Sequence, residues 1–213
     1  MHDKLLERYE SRKDTLSLLA ENLELETKEA LKELPHVDRI YYRVKGANSF
    51  LDKARDATNV PPYSEPLVEI EDQIAGRVLV FFLSDITPVV TLLRKNFTQV
   101  ESHRRRPARD EEFGYESHHL ICIIPPQAKP TGWTGTKDMP ATFELQIRTL
   151  FMHAWAEPQH DLGYKASEEL PREIRRELSW VAASSWGADQ AFERIIRWQR
   201  EKPGGIIHPK AEG

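Results

Sequence analysis

The sequence predicts an α/β protein in which helices flank a mixed β-sheet. Two observations carry this prediction. Apolar side chains recur at helical spacing near both ends of the chain, whereas the middle alternates apolar with polar residues or runs continuously apolar, as strands do. The resulting order of helix, strand, helix, several strands and then helices does not follow a regular βαβ repeat, so it indicates a mixed sheet.

The first third of the chain begins this order. Residues 2–34 predict one long or broken amphipathic helix that ends near Pro35 and serves packing or subunit contact. Residues 37–45 alternate in polarity and predict a strand. We expect a short helix through residues 49–53 and a proline-rich loop over residues 59–64.

The rest of the chain supplies most of the predicted sheet. The continuous apolar run at residues 78–83 predicts a strand buried on both faces. Ser84 and Asp85 then predict the cap of a helix that tolerates Pro88 in its first turn. The remaining predicted segments are strands at 97–103, 115–124 and 142–149, a mobile surface loop at 104–112, helices from 150 and over 171–198, and a frayed tail from 203.

Composition excludes several classes of protein. The net charge is −4, so affinity for phosphates must come from a local basic patch. The single cysteine, Cys122, excludes an internal disulfide framework and a cysteine-based zinc site. No apolar stretch approaches the roughly 20 residues that span a bilayer, and the charged N-terminus lacks the apolar segment of a signal peptide, so we expect a cytoplasmic protein.

Three predicted strands share a polar face. In residues 142–149, alternation places every second side chain in the core and leaves the others on the opposite face. The polar faces of the three strands carry Glu144, Gln146 and Arg148, then Arg43 and Lys45, then Tyr115, Ser117 and His119. One such face is typical of a half-exposed strand, but three that combine carboxylate, guanidinium, phenol and imidazole groups predict the floor of a shared cleft.

Five segments carry the sequence patterns of a known family. They are residues 43–53 (R-x-K-x-x-x-S-x-x-x-K), 70–78 (I-x-D-x-x-A-x-R-V), 114–119 (G-Y-x-S-x-H), 143–149 (F-E-x-Q-I-R-T) and 153–165 (H-x-W-A-x-x-x-H-x-x-x-Y-K). In this order, and over more than half of the chain, they resemble the synthetase domain of RelA/SpoT proteins.

The resemblance implies a fold, a reaction and a cofactor. The fold is the nucleotidyltransferase-like synthetase fold, with a mixed, roughly five-stranded sheet flanked by helices. It forms one domain with an N-terminal helical segment (1–36), a catalytic core (37–165), C-terminal helices (166–202) and a flexible tail (203–213). The reaction is the Mg²⁺-dependent transfer of pyrophosphate from ATP to the ribose 3′-hydroxyl of GDP or GTP, which yields (p)ppGpp.

The resemblance also implies roles for individual residues. Asp72 and Glu144 would be the catalytic carboxylates and the Mg²⁺ ligands. The ATP-binding residues would be Arg43 and Arg77 at the adenine, with Lys45, Ser49 and Lys53 at the phosphates. The acceptor nucleotide would meet Tyr115, Ser117, His119, Gln146, Arg148 and His160.

Two departures from the family pattern bear on the acceptor. Arg104, Arg105 and Arg106 stand in place of a lysine-bearing stretch, and they would contact either a nucleotide 5′-phosphate or a tRNA backbone. Pro158 predicts a kink or a restart in the helix that begins at residue 150, which affects the position of His160.

Several alternatives stay open at this point. A toxin-like relative would pyrophosphorylate the tRNA 3′ end or adenosine nucleotides, whereas a nucleotide-binding regulatory module would keep the fold without catalysis. His153, Glu157 and His160 have the i, i+4, i+7 spacing of a transition-metal site on one helix face. The amphipathic segments at 2–34 and 171–198 permit a homo-oligomer.

Overall fold

The computed structural model describes residues 4–105, 113, 117–131, 133, 138–164 and 170–202, without the side chains of residues 105 and 159–164. The helices are α1 (Lys4–Glu10), α2 (Lys13–Leu31), α3 (Ala47–Arg55), α4 (Pro66–Glu69), α5 (Leu83–Asn96), α6 (Leu150–Tyr164) and α7 (Arg172–Glu201). The strands are β1 (Val37–Val44), β2 (Ile74–Val80), β3 (Gln99–Arg105), β4 (Ser117–Ile123) and β5 (Thr142–Thr149). Short 3₁₀ turns cover Glu71–Gln73 and Pro126–Ala128.

The described strands form one five-stranded sheet in the order β1-β2-β5-β4-β3. β2 and β5 run parallel, and the other neighbouring strands are antiparallel. The predicted fold class, a mixed five-stranded sheet with helices, is therefore confirmed. The parallel pair occupies inner positions of the sheet, so both of its strands are hydrogen-bonded on two sides.

One face of the sheet carries the hydrophobic core. α2 packs against β1 and α5, and its side chains Leu16, Leu19 and Leu23 are fully buried. Phe143 and Leu145 of β5 reach the same core. Burial of one such side chain stabilises the fold by about 1.5–3 kcal/mol. The N-terminal segment is thus helical and broken into α1 and α2, and it packs within the chain.

The opposite face of the sheet is polar and is ordered in rows across the strands. Residues that are directly paired between neighbouring strands point to the same face. One row runs through Tyr41, Arg77, Gln146, His119 and His103. The adjacent row runs through Arg43, Ala75, Glu144, Ile121 and Glu101. The pairing register therefore brings motif residues from four strands onto one surface.

Helix α7 is docked through two acidic side chains one turn apart. The Asp189 carboxylate accepts a 2.6 Å hydrogen bond from the Thr149 hydroxyl, and that hydroxyl oxygen accepts the Met152 N–H (3.1 Å) in the first turn of α6. The Glu193 carboxylate accepts the Ser84 N–H (3.0 Å) in the first turn of α5. The N-terminal end of a helix favours anions, so α7 is held against the start of both helices.

Within the described ranges, no helix is both long enough and apolar enough to cross a membrane.

The second strand begins earlier than predicted. β2 covers Ile74–Val80 instead of 78–83, because the small and polar residues before Val78 belong to the strand. Gly76 lies directly against the Tyr42 ring, and its lack of a side chain permits this close approach. The sequence pattern missed the start of the strand because a glycine and an arginine interrupt the apolar run.

The predicted cap of the following helix is wrong in position. α5 starts at Leu83, so Ser84 and Asp85 lie inside the helix and Pro88 falls in its second turn. Asp85 still satisfies the helix start, since its carboxylate accepts the Phe82 N–H (3.1 Å) from the third position of the helix.

The predicted loop at residues 104–112 starts later than expected. Arg104 and Arg105 belong to β3, where they pair with His118 and Ser117 of β4. Antiparallel pairing thus overrides the polar composition of the segment, because strand preference depends on context more than on residue type. Residues 106–112 lie outside the described residues.

Helix α6 does not restart at Pro158. The helix continues through this proline to Tyr164. The hydrogen bond that Pro158 cannot donate would go to the carbonyl of Ala154, an exposed residue. Water can satisfy that carbonyl on the outer side of the helix.

Replacing Gly76 with alanine should destabilise the protein. The added Cβ would lie 2.5 Å from the Tyr42 ring and 2.8 Å from Leu145, so we expect the free energy of unfolding to fall by about 1–3 kcal/mol. Gly187→Ala in α7 is the matched control, because outside its chain neighbours and the nearby backbone of its own helix no described atom lies within 4 Å of the added Cβ, and the protein should gain about 0.5–1 kcal/mol. Urea unfolding measures both changes. A Gly76→Ala protein as stable as the wild type would contradict this packing.

Candidate active site

A cleft of about 520 Å³ opens on the polar face of the sheet. Its lining comes from α3, from the 3₁₀ turn before β2, and from three strands. The lining residues are Lys53, Glu71, Asp72, His103, His119, Ile121, Glu144 and Gln146. Seven of these eight side chains are charged or polar, so the cleft fits a charged ligand and a metal ion better than an apolar molecule.

Two lysines hold Asp72 in this cleft. The Asp72 carboxylate accepts hydrogen bonds from Lys45 Nζ (2.8 Å), directly after β1, and from Lys53 Nζ (2.9 Å) of α3. Burial acts to raise the pKa of Asp72, but the two ammonium groups outweigh burial and hold this pKa below its usual range. Burial likewise acts to lower the pKa of Lys53, and the Asp72 charge raises it overall. Both partners are therefore charged at neutral pH.

Glu144 is the second carboxylate of the cleft. Its Oε1 lies 2.5 Å from His119 Nδ1, and its Oε2 accepts a 2.9 Å hydrogen bond from Gln146 Nε2. Burial acts to raise the pKa of Glu144, but the hydrogen bonds from His119 and Gln146 keep it below its usual range. The negative charge of Asp72 also acts to raise the pKa of Glu144, so the two carboxylates interact electrostatically.

A second set of contacts extends the polar face toward α6. Arg77 Nη1 donates to the Tyr41 hydroxyl (2.8 Å) and forms an ion pair with Glu157 Oε1 (2.8 Å). Arg148 Nη1 donates to the same Glu157 oxygen at 3.4 Å, and Arg148 Nη2 donates to Gln146 Oε1. Because Gln146 also donates to the second carboxylate of the cleft, the hydrogen bonds join α6 to the cleft floor.

Most of the predicted site residues lie on this one face. The residues that the structure brings together are Lys45, Lys53, Asp72, Arg77, His119, Glu144, Gln146 and Arg148. Arg43 and Ser49 are exposed on β1 and α3. Ser117 is buried at the start of β4, and its hydroxyl has no hydrogen-bond partner among the described residues.

Of the five remaining predicted residues, the structure describes the side chain of Arg104 alone. Tyr115 and Arg106 lie outside the described residues, and only the backbones of Arg105 and His160 are described. Arg104 is described and exposed, and it lines a separate cavity of about 240 Å³ between β4, α5 and α7. The predicted roles of these five residues stay predictions.

Sequence reasoning missed three residues of the site. Tyr41 alternates with Arg43 on β1, so the strand pattern contained the signal for its position. Glu157 was grouped with two histidines as a metal-site candidate, but its carboxylate is turned toward two arginines. Glu71 lines the cleft, and burial together with the charge of Glu101 raises the pKa of Glu71. Across the described part of the chain, no three or more His, Cys, Asp or Glu side chains form a group that could hold a metal ion between them, so a magnesium site here would have at most two protein carboxylates.

Replacing Asp72 with asparagine should lower stability in a way that depends on pH. The pKa of Asp72 is lower in the folded protein than in the unfolded chain, so its contribution is complete above about pH 4 and is lost as the pH falls through the folded-state pKa. At pH 7 we expect Asp72→Asn to lower the free energy of unfolding by about 1–2 kcal/mol, since two partly exposed lysines lose their partner.

Urea unfolding at pH 7, 5 and 3 tests this expectation. The difference between wild type and Asp72→Asn should narrow from pH 5 to pH 3, because the unfolded wild-type chain binds a proton at Asp72 below about pH 4, whereas the folded protein holds the pKa of Asp72 lower. Asp52→Asn, on the exposed side of α3, is the matched control and should differ little from the wild type at any pH. A difference that stays constant from pH 7 to pH 3 would show that the pairing with the lysines does not stabilise the fold.

Comparison with known proteins supports the fold and identifies the family. Residues 42–169 match the model of a region found in RelA / SpoT proteins, and this range contains every cleft residue. GTP pyrophosphokinase YjbM of Bacillus subtilis is 36% identical over 158 residues, which make up 72% of this chain and 69% of YjbM.

Solved structures extend this similarity to most of the chain. Small alarmone synthetase 1 from Bacillus subtilis, bound to its product pppGpp, superposes with a TM-score of 0.73 at 27% identity, covering 94% of this chain and all of that one (100%). The same protein bound to AMPCPP gives a TM-score of 0.70 at 25% identity, over 92% and 99% of the two chains. The chain therefore belongs to the RelA/SpoT family, with the fold of small alarmone synthetases and the character of a pyrophosphokinase-like transferase.

Proposed function

We propose that this chain transfers pyrophosphate from ATP to the ribose 3′-hydroxyl of GDP or GTP in a Mg²⁺-dependent reaction that forms (p)ppGpp. The observation that carries the proposal is one cleft in which an ionised Asp72, held by Lys45 and Lys53, is accompanied by Glu144. The relatives support it: YjbM is named a GTP pyrophosphokinase, and small alarmone synthetase 1 was solved with pppGpp as its product.

The cleft fits a magnesium ion. Asp72 and Glu144 present hard carboxylate oxygens, and the pKa of each is held below its usual range, so both are ionised at neutral pH. Mg²⁺ commonly takes one or two protein carboxylates and completes its shell with water and substrate phosphates. We therefore propose Asp72 as the main ligand and Glu144 as the second. Bound Mg²⁺ would offset the negative charge of the transferred phosphates.

Lys45 and Lys53 are proposed to bind the ATP phosphates while they hold Asp72. Each ammonium group has three N–H donors and uses one of them on the carboxylate, so donors remain for phosphate oxygens. Ser49 lies one turn before Lys53 on α3 and is exposed, which suits a hydroxyl donor to the same phosphates.

Arg43 and Arg77 are proposed to bind the adenine. They lie on β1 and β2 in adjacent rows of the polar face, as diagonal neighbours. A planar guanidinium group stacks on a purine and needs no particular hydrogen-bonding edge. AMPCPP, the ligand of the solved relative, is an ATP analogue and supports an ATP site in this fold.

The transfer itself forms one bond and breaks one. The ribose 3′ oxygen attacks the β-phosphorus of ATP, the bond from that phosphorus to the α,β-bridging oxygen breaks, and AMP leaves. The hydroxyl proton is proposed to move to Glu144, whose carboxylate is oriented by His119 at 2.5 Å. Because the pKa of Glu144 is low, the proton moves once the new bond has largely formed and the hydroxyl has become acidic.

The acceptor nucleotide is proposed to lie along β4 and β5. Gln146 and Arg148 point from β5 onto the polar face, and the buried Ser117 hydroxyl retains its capacity to donate. Tyr115 and His160 complete this proposal as stacking and orienting groups.

Two rival functions remain as outcomes of the test. A pyrophosphokinase that acts on the tRNA 3′ end or on adenosine nucleotides would use the same cleft, with the exposed Arg104 near a phosphate backbone. A regulatory module without catalysis would gain nothing from two ionised carboxylates where phosphates bind, because like charges repel.

ATP and guanine nucleotides are cytoplasmic, and the cytoplasm is the compartment we propose. A homo-oligomer stays a prediction.

The decisive experiment follows the label from γ-³²P-ATP in the presence of Mg²⁺. GDP, GTP, AMP, ATP alone and deacylated tRNA are offered as separate acceptors, and EDTA removes the metal. We expect label on GDP or GTP, at least a hundredfold less with Asp72→Ala or Glu144→Gln, and a normal rate with Asp52→Ala. Label on tRNA or adenosine nucleotides alone would overturn the acceptor assignment. Nucleotide binding without transfer to any acceptor would favour the regulatory module.

A further inference from the structure

We infer that Glu157 is a positioning residue that fixes the two arginines beside the cleft, and that it sets the affinity for ATP mainly through Arg77. This inference rests on the proposed function, because it assigns the adenine end of ATP to Arg77. Glu157 itself is not expected to touch the reacting atoms.

The geometry places one carboxylate oxygen between two guanidinium groups. Glu157 Oε1 lies 2.8 Å from Arg77 Nη1 and 3.4 Å from Arg148 Nη1. The Arg77 and Arg148 side chains are only 9% and 3% exposed, whereas Glu157 is 42% exposed. A buried guanidinium group is costly unless a counter-ion compensates its charge, and Glu157 supplies this charge to two of them from the edge of the site.

Arg77 is fixed from two sides. From β1, the Tyr41 hydroxyl accepts a 2.8 Å hydrogen bond from Nη1, and the Tyr41 ring lies 5.6 Å from the guanidinium carbon. From α6, the Glu157 carboxylate forms an ion pair with the same nitrogen. Together these contacts orient the guanidinium plane before any ligand arrives. A stacking platform binds a purine well only when its plane is held, so loss of either contact should weaken the binding of adenine.

The fold makes Glu157 suited to this task. α6 begins at Leu150, directly after β5 ends at Thr149, and Glu157 in the third turn of the helix contacts Arg148 of that strand. The Glu157 carboxylate thereby connects α6 with β2, which carries Arg77 proposed for ATP, and with β5, which carries Arg148 proposed for the acceptor.

The sign of the effect distinguishes positioning from a general charge effect. ATP is an anion, so removal of a nearby negative charge should strengthen its binding if only the electrostatic field mattered. If Glu157 positions Arg77, the same removal should weaken binding. Glu157→Gln retains the size of the side chain and removes the charge, and it separates the two cases.

The test measures AMPCPP binding by calorimetry in the presence of Mg²⁺. Wild type is compared with Glu157→Gln, Arg77→Lys, the double variant, and the control Glu177→Gln on the exposed side of α7. We expect Glu157→Gln to raise Kd about tenfold in the wild-type background and less than twofold in the Arg77→Lys background. Glu177→Gln should leave Kd unchanged. Glu157→Asp, which keeps the charge but shortens the side chain, should fall between wild type and Glu157→Gln.

Thermal unfolding of each variant accompanies the binding measurement. Tighter or unchanged binding by Glu157→Gln would overturn the inference, and so would an equal loss in both backgrounds. If Glu157→Gln does not fold, Glu157→Asp decides by the same comparison in the two backgrounds. Failure of the wild type to bind AMPCPP would instead overturn the proposed function, so the two failures are distinguishable.

Discussion

The pleat of β5 is the constraint on which the site depends. Successive side chains of a strand point to opposite faces, so this strand sends Phe143 and Leu145 into the core and Glu144 and Gln146 into the cleft. A shift of one residue in its pairing would exchange the two faces. The apolar side chains therefore fix the register by their burial, and the polar groups are held in place without having to stabilise the fold themselves.

Charge compensation is the second feature that organises the site. Asp72 lies between two lysines, Glu157 lies between two arginines, and Glu144 is bonded to His119. Each carboxylate has its partners before a nucleotide arrives, which limits the cost of burying charge on the polar face of the sheet. A highly charged substrate then meets a site whose donors and acceptors are already oriented, and less ordering is needed on binding.

The sequence predicted those parts of the structure that depend on local periodicity. Alternation along β5 placed Glu144 and Gln146 together on one face, and the motif segments placed Asp72 beside them, as observed. The predicted start of β2 and the predicted end of β3 were wrong. Both depend on neighbouring strands, which place the Tyr42 ring over Gly76 and pair Arg104 and Arg105 with β4. The arginine contacts of Glu157 were not predicted, for the same reason. Arg77 and Arg148 lie on β2 and β5, and no spacing within a helix encodes contacts with other elements.

The parallel pairing of β2 with β5 determines when the cleft can assemble during synthesis and folding of the chain. This pairing joins residues near position 75 to residues near position 144, and α5, β3 and β4 lie between them in the chain. Asp72 leaves the ribosome well before Glu144. The nascent chain therefore passes through a stage that contains the residues proposed for the ATP phosphates but not yet Glu144. Such distant pairings form slowly, since the intervening loop must first be closed. The two carboxylates therefore meet only when nearly the whole sheet has assembled, and a truncated or partly folded chain would lack the proposed chemistry.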